Sequence, residues 1–194
     1  MTTQATTTSL FDGVNFAQFI DTIDAIKANP ALARVTLRAE VEWSNGAQVR
    51  TKIPRSDGND AQAIHRTQLI SFENGERSAQ LDDRTAVNAM EIILAGLGSC
   101  LVMSFVYHAT QQGFHVDELG LRLEAEIDLR GFLGLSPQVR PGYQIVRLAA
   151  QVKCDAPNQA LEKLWEHVQK ISPVLDIIRN PVPVTIELQD ETNF

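Results

Sequence analysis

From Ile92 to Tyr107 the chain runs sixteen residues without a charge, inside a longer segment, Ala86 to Gln112, made mostly of good helix formers and closed by Gly113. A helix that is apolar nearly all round cannot lie on a surface, because a one-faced surface helix shows a polar stripe. It must be enclosed on most sides, by sheet or by another subunit. The segment also raises the question of a bilayer span. However, Gly96, Gly98, Ser99 and Ser104 interrupt it, and Glu91 and His108 flank it, so a buried helix is the better reading.

The rest of the chain supplies covering surfaces. Val14, Phe16, Phe19, Ile20, Ile23 and Ile26 recur at helical spacing until Asn29-Pro30 stops them, which predicts an amphipathic helix over about residues 14–29. Val35, Leu37, Ala39, Val41 and Trp43 alternate with polar residues as a strand with one buried face. Asn45-Gly46 turns that strand into a partner at Gln48 to Ile53. Pro54 to Gln62 reads as a loop, Ile64 to Phe72 as a strand, and Asn74-Gly75 as a second turn. After the long helix, Leu121 to Leu129 alternate cleanly, and a Gly/Pro loop from Gly131 to Gly142 leads to a strand ending in Val146, Leu148, Ala150 and Val152. Pro157 opens a helix carrying Leu161, Leu164, Trp165 and Val168, Ser172-Pro173 starts a shorter one, and Val182, Val184, Ile186 and Leu188 read as a final strand. Runs of strands separated by few helices favour an α+β architecture over alternating βαβ units.

No linker or repeat divides the 194 residues, so a single domain over 1–194 with an additional N-terminal helix is expected. Hydrophobic types at 44% and charged types at 21% exclude a mostly disordered or coiled-coil chain. A formal charge of −7 has the wrong sign for neutralising phosphates, so nucleic acid is not expected as a partner, nor is a membrane. Two cysteines, and an N-terminus with neither a basic start nor an apolar core, fit the cytoplasm.

Familiar nucleotide, zinc and hydrolase motifs are absent, and the four histidines lack metal-ligand spacing to either cysteine, so no metal and no cofactor is expected. What stands out is Cys100, in mid-helix among glycines that cost about 1 kcal/mol each relative to alanine. Close packing against another backbone explains this arrangement, since free cysteine is among the most buried residue types. Equally, the small residues open a pocket beside the sulfur, where a neighbouring arginine would favour a nucleophilic thiolate. Ser104, Tyr107, His108 and Gln111 share the Cys100 side, His108 as a group that would tune the thiol or as a hydrogen-bonded core residue. Cys154 continues the phase of the second long strand and reads as a small buried hydrophobe.

The segment Glu91-Ile-Ile-Leu-Ala-Gly-Leu-Gly-Ser-Cys-Leu101 resembles the helix signature of the OsmC (osmotically inducible protein C) family, which includes the organic hydroperoxide resistance (Ohr) proteins. Ile171-Ser-Pro-Val-Leu-Asp-Ile-Ile-Arg-Asn-Pro-Val-Pro-Val184 resembles the family's second-helix motif. The resemblance implies an intertwined homodimer whose antiparallel sheets wrap the buried central helices. It also implies reduction of organic hydroperoxides: the cysteine at Cys100 attacks the O–O bond and becomes a sulfenic acid, which a second cysteine resolves. An arginine and a glutamate support the thiolate in such enzymes.

Two departures bear on that chemistry. Ser172 stands where the family has its resolving cysteine, and it also suits the N-cap of the following helix. This branch would therefore be a one-cysteine peroxidase using an external thiol, or a non-catalytic dimer binding a small apolar ligand near Leu97, Leu101, Met103 and Phe105. Glu91, the acid that fits the role, is nine residues before Cys100, about half a turn out of phase, whereas the family's acid usually lies one residue earlier, at Met90. It serves either the helix dipole or catalysis. Arg77 and Arg84 lie nearest by chain, in the segment leading into the helix, while Arg66 and Arg38 sit on expected strands; of the four, Arg77 is the preferred arginine.

Overall fold

Asn88 sets the start of the central helix. Its side chain accepts the Met90 N–H at 2.7 Å, and the Glu91 carboxylate reaches back to the Asn88 N–H at 2.9 Å, a capping box that satisfies donors the first turn would leave unpaired. At the other end Gly113 adopts a φ of 80°, the left-handed conformation a glycine takes without penalty after a helix. In the computed structural model, which describes residues 10–11, 14–34, 36–45, 48–53, 70–75 and 88–188, the helix between these caps is Ala89–Gln111.

In chain order the described elements are β1 (Leu10–Phe11), β2 (Val14–Asn15), α1 (Phe16–Ala28), a 3-10 turn (Pro30–Ala33), β3 (Glu40–Asn45), β4 (Gln48–Ile53), β5 (Ile70–Gly75), α2 (Ala89–Gln111), β6 (Val116–Ile127), α3 (Leu129–Phe132), β7 (Tyr143–Cys154), α4 (Asn158–Ile171) and α5 (Pro173–Arg179). The pairings are all antiparallel: β1 with β2, β3-β4-β5 as a three-stranded sheet, and β6 with β7 as a long ribbon. This is an α+β fold. The ribbon, α4 and α5 all pack on α2.

The core forms where one face of α2 meets the amphipathic α4. Leu97, Leu101, Phe105 and Ala109 recur every four residues and so share that face, and Leu164 and Val168 of α4 close on them. The Phe105 and Trp165 rings lie 5.5 Å apart at 59°, a tilted aromatic contact. Gly98 has its own reason. A Cβ there would stand 3.0 Å from Leu123 Cδ1, so its absence lets β6 lie close against α2. Gly131 likewise gives up its side chain to the Arg140 carbonyl oxygen, which a Cβ would strike.

Several boundaries differ from those expected. The strand expected from Val35 begins at Glu40, because β4 offers partners only from Gln48 to Ile53 and Glu40 already pairs with Lys52. Asn74 and Gly75 are not a turn; they extend β5 to pair with Val49 and Gln48, using the whole length of the β4 edge. The Pro54–Gln62 loop and the Ile64 end of the expected strand lie outside the described residues. Leu129 leaves the strand because the Asp128 side chain accepts the Arg130 N–H at 3.0 Å and starts α3. Residues 181–188 form no strand; they are described without a sheet partner, and Ile186 is 88% exposed. α2 is not enclosed on most sides by its own chain either. It has the length and apolarity of a membrane span, yet one face packs on β6, α4 and α5 while Ile93 and Met103 stay exposed.

Candidate functional site

Two helices meet at Cys100. α2 carries the cysteine in a half-buried position, and the junction of α4 and α5 places Ser172, fully buried, against it. Cys100 Sγ and Ser172 Oγ are 3.2 Å apart. Ser172 is there because a helix must restart after Ile171. Pro173 suits the first position of α5, and the Ser172 hydroxyl oxygen caps that helix by accepting the Leu175 N–H at 3.5 Å. With its oxygen so used, the hydroxyl hydrogen is free to turn toward the sulfur. A thiolate at Cys100 would thus receive a hydrogen bond from a buried donor.

Beside this pair lies a cavity of about 590 Å³, within the range of small-molecule sites. Its walls are Met90, Ile93, Leu97 and Leu101 of α2, with Val146 and Leu148 of β7. Trp165, Leu175 and Ile178 close it from α4 and α5. Cys100 does not line the wall, although its helix neighbour Leu101 does. At the opposite end the Tyr143 hydroxyl donates to the Met90 carbonyl, fixing the start of β7 against the first turn of α2. Burial, then the nearby Glu91 charge, raises the Tyr143 pKa above the usual phenol value and keeps it a donor.

A model of the OsmC-like protein family matches residues 80–187, more than half of the chain and the region that holds both Cys100 and Ser172. The chain belongs to the OsmC-like family. Solved structures agree in fold. The OsmC-like protein of Mycoplasma pneumoniae aligns with a TM-score of 0.57 at 10% identity, over 75% of this chain and 89% of that one. An OsmC-like protein of unknown function from Vibrio cholerae gives 0.51 at 14%, over 73% and 92%. No curated protein matches the sequence.

In this OsmC-like chain the structure brings only some of the expected site residues to the sulfur. Ser172, expected in the place of a second cysteine, is in contact with it. Glu91 is held in the capping box, about 13 Å along the helix from Cys100 and on the other side of it. Arg77, Arg66 and Arg84 lie outside the described residues. Arg38 is exposed in the segment before β3. Leu97 and Leu101 line the cavity, whereas Phe105 is buried in the core and Met103 faces the other way, into an open groove with Ser99 and Val102. Cys154 ends β7 opposite Val116, its sulfur accepting the Ala156 N–H at 3.5 Å.

His108 has a different partner from the sulfur. Its ring meets His167 of α4 edge-on, centroids 4.8 Å apart, about two helical turns beyond Cys100. Burial, then the His167 charge, lowers its pKa below 6.5 against a smaller opposing hydrogen bond with Gln111. A histidine that resists protonation in the fold stabilises it fully above the unfolded value of 6.5. That contribution is lost as the pH falls from there through the lowered folded value, because the unfolded chain binds the proton first. Urea midpoints measured from about pH 8 to about pH 5 are expected to fall over that window, and less steeply in His108→Gln. Equal slopes would show that this pair carries no linkage.

Arg140, Tyr143 and Arg179 escaped the sequence reading. Arg140 lies in the Gly/Pro loop between the long strands and Tyr143 directly follows it, the type of segment that often carries function. Arg179 lies within the second family-like motif itself. Those were the available signals.

Proposed function

We propose that this protein is a thiol-dependent peroxidase that reduces organic hydroperoxides through Cys100, takes its electrons from an external thiol, and works as a homodimer in the cytoplasm. The observation that carries the reading is the half-buried Cys100 sulfur, 3.2 Å from the buried Ser172 hydroxyl and next in the helix to Leu101, which lines an apolar cavity. Family membership supports it. The sulfur attacks one oxygen of the O–O bond; an S–O bond forms, the O–O bond breaks, and the alkoxide leaves, protonated, as an alcohol. Cys100 is left as a sulfenic acid, oxidised by two electrons. An external thiol condenses with it, releasing water and giving a mixed disulfide, and a second thiol displaces Cys100 in the reduced state. Ser172 supplies the hydrogen bond to the thiolate, and Arg77 is the proposed guanidinium.

The homodimer is supported by what one chain leaves uncovered. Trp43 is 73% exposed on β3 and Met103 46% exposed on α2, beside the open groove formed with β6. A second copy laid on these faces would complete the enclosure that α2 lacks. The acidic balance supports a partner other than nucleic acid or a membrane surface.

Reduced protein treated with cumene hydroperoxide in the presence of a dithiol is expected to consume the peroxide and to form a sulfenic acid at Cys100 that dimedone traps. Cys100→Ser is expected to do neither. Peroxide loss unchanged by Cys100→Ser, or no loss in the native protein, would remove the enzymatic reading. In the second case the cavity favours the other reading, a non-catalytic dimer that binds a small apolar ligand.

A further inference from the structure

α2 and α4 meet again away from the thiol. Leu164 and Val168 close on the face that carries Phe105, and outside that contact His108 of α2 stands against His167 of α4, ring centroids 4.8 Å apart at 80°. His108 is half-buried and His167 exposed, so the pair is anchored on one side and open to solvent on the other. Docking of α4 on α2 makes this pairing, which is why no spacing along the chain announces it.

The separation matches that of two rings on one ion. With metal–nitrogen bonds of about 2.0–2.1 Å and ring centres about 1.1 Å farther out, two imidazoles on a tetrahedral ion have centroids about 5 Å apart. A turn of the exposed His167 ring about its Cβ–Cγ bond, a soft torsion, changes edge contact into shared coordination. Burial, the largest influence on His108, favours the neutral ring, which is the form a metal binds. The weaker hydrogen bond with Gln111 acts the other way, so the ring is its donor. With one nitrogen holding that proton, the other keeps its lone pair for an ion, the arrangement usual behind metal-ligating histidines. Among the described residues no third His, Cys, Asp or Glu joins the pair, so water fills the remaining positions and the ion exchanges. Imidazole nitrogen suits zinc, copper or nickel rather than calcium or magnesium, which take oxygen. The formal charge of −7 draws cations to the chain.

We infer that His108 and His167 form a binding site for one exchangeable divalent transition-metal ion, which clamps α4 to α2. Binding there needs no thiol, so the site stands apart from the peroxidase reading. Because α4 leads into Ser172, the clamp also steadies the hydroxyl that faces Cys100.

Zinc chloride is the probe, titrated by calorimetry into the full chain carrying Cys100→Ser and Cys154→Ser, so that neither thiol captures the ion. One saturable site per chain is expected, with a Tm that climbs as zinc is added, because the unfolded chain does not hold the two rings together. His108→Gln or His167→Gln is expected to weaken zinc by about hundredfold or more, since the second bond to an ion already held is intramolecular. Gln111→Ala is expected to weaken it by about tenfold. His115, beside Asp117 just before β6, is the control, and His115→Gln is expected to leave zinc affinity unchanged. His167 is exposed, so His167→Gln keeps the fold, which its zinc-free unfolding curve checks. Zinc affinity that survives loss of His108 and His167 together, or that depends on His115, would overturn the inference, as would a lack of saturable binding. With both thiols removed, none of these outcomes bears on peroxide reduction.

Discussion

Ser172→Cys is expected to convert the protein into a two-thiol system that closes a disulfide with Cys100 after one turnover with peroxide. Sγ of Cys100 and Oγ of Ser172 are already 3.2 Å apart, and a disulfide needs its sulfurs at about 2.05 Å with Cβ atoms about 3.5–4.5 Å apart. A small rotation of two side chains covers the difference. Once Cys100 is a sulfenic acid, the introduced thiol attacks its sulfur, water leaves, and the S–S bond forms without an external thiol in that step. The crosslink joins residues 72 apart in sequence, and closing so large a loop restricts the unfolded chain, a gain of about 2–4 kcal/mol in the oxidised form. Against this, the Ser172 cap on Leu175 is lost, a cost of about 1 kcal/mol that the reduced form shows alone. The variant should therefore be less stable than the native protein when reduced and more stable when oxidised. Mapping free thiols after one equivalent of peroxide is expected to find Cys154 alkylated and the other two blocked together. If the introduced thiol stays free while Cys100 oxidises, the 3.2 Å contact does not describe the working geometry.

The sequence showed this contact indirectly. Ser172 was readable as a helix cap because Pro173 follows it, and as a stand-in for a cysteine because of the motif around it. Its distance from Cys100 depends on how α4 and α5 dock on α2, a tertiary fact that no local pattern encodes. The long helix and the β6–β7 ribbon were legible for a simple reason: an apolar run of helix formers closed by Gly113, and alternations as long as those of the two strands, leave little else to form. Residues 182–188 show the limit of the same reasoning. Their alternation is as regular as that of β6, but a strand also requires a neighbouring edge, and this chain presents none to them among the described residues. Glu91 shows another limit. Its helical phase turns it away from the sulfur, while its bond to the Asn88 N–H depends on where the helix starts. The cavity was the least legible feature, since it is bounded by four elements and its arginines come from a loop and from a helix end.

Phe105→Ala is expected to destabilise the fold by about 3–5 kcal/mol, a large share of the stability of a typical domain. Phe105 is 0% exposed and sits at the centre of the cluster that joins α2 to α4. Its removal takes away the transfer energy of a buried ring. It also opens a hole that Leu101, Ala109 and Val168 cannot fill without moving the helices, and the tilted contact with Trp165 is lost as well, itself worth about 0.5–1.5 kcal/mol. For a chain of this size the loss corresponds to a fall in Tm of about 10 °C. Phe105→Leu keeps much of the volume and should lose well under half as much. The two helices joined here also hold the site: α4 leads into Ser172, and Trp165 forms part of the cavity wall. A loosened Trp165 is expected to show red-shifted emission, and the oxidation of Cys100 by peroxide should slow in Phe105→Ala even at temperatures where the variant remains folded. Paired urea unfolding curves decide the matter. A change below about 1 kcal/mol would mean that the α2–α4 contact is not what carries the core, and the geometry around Cys100 would then need another support.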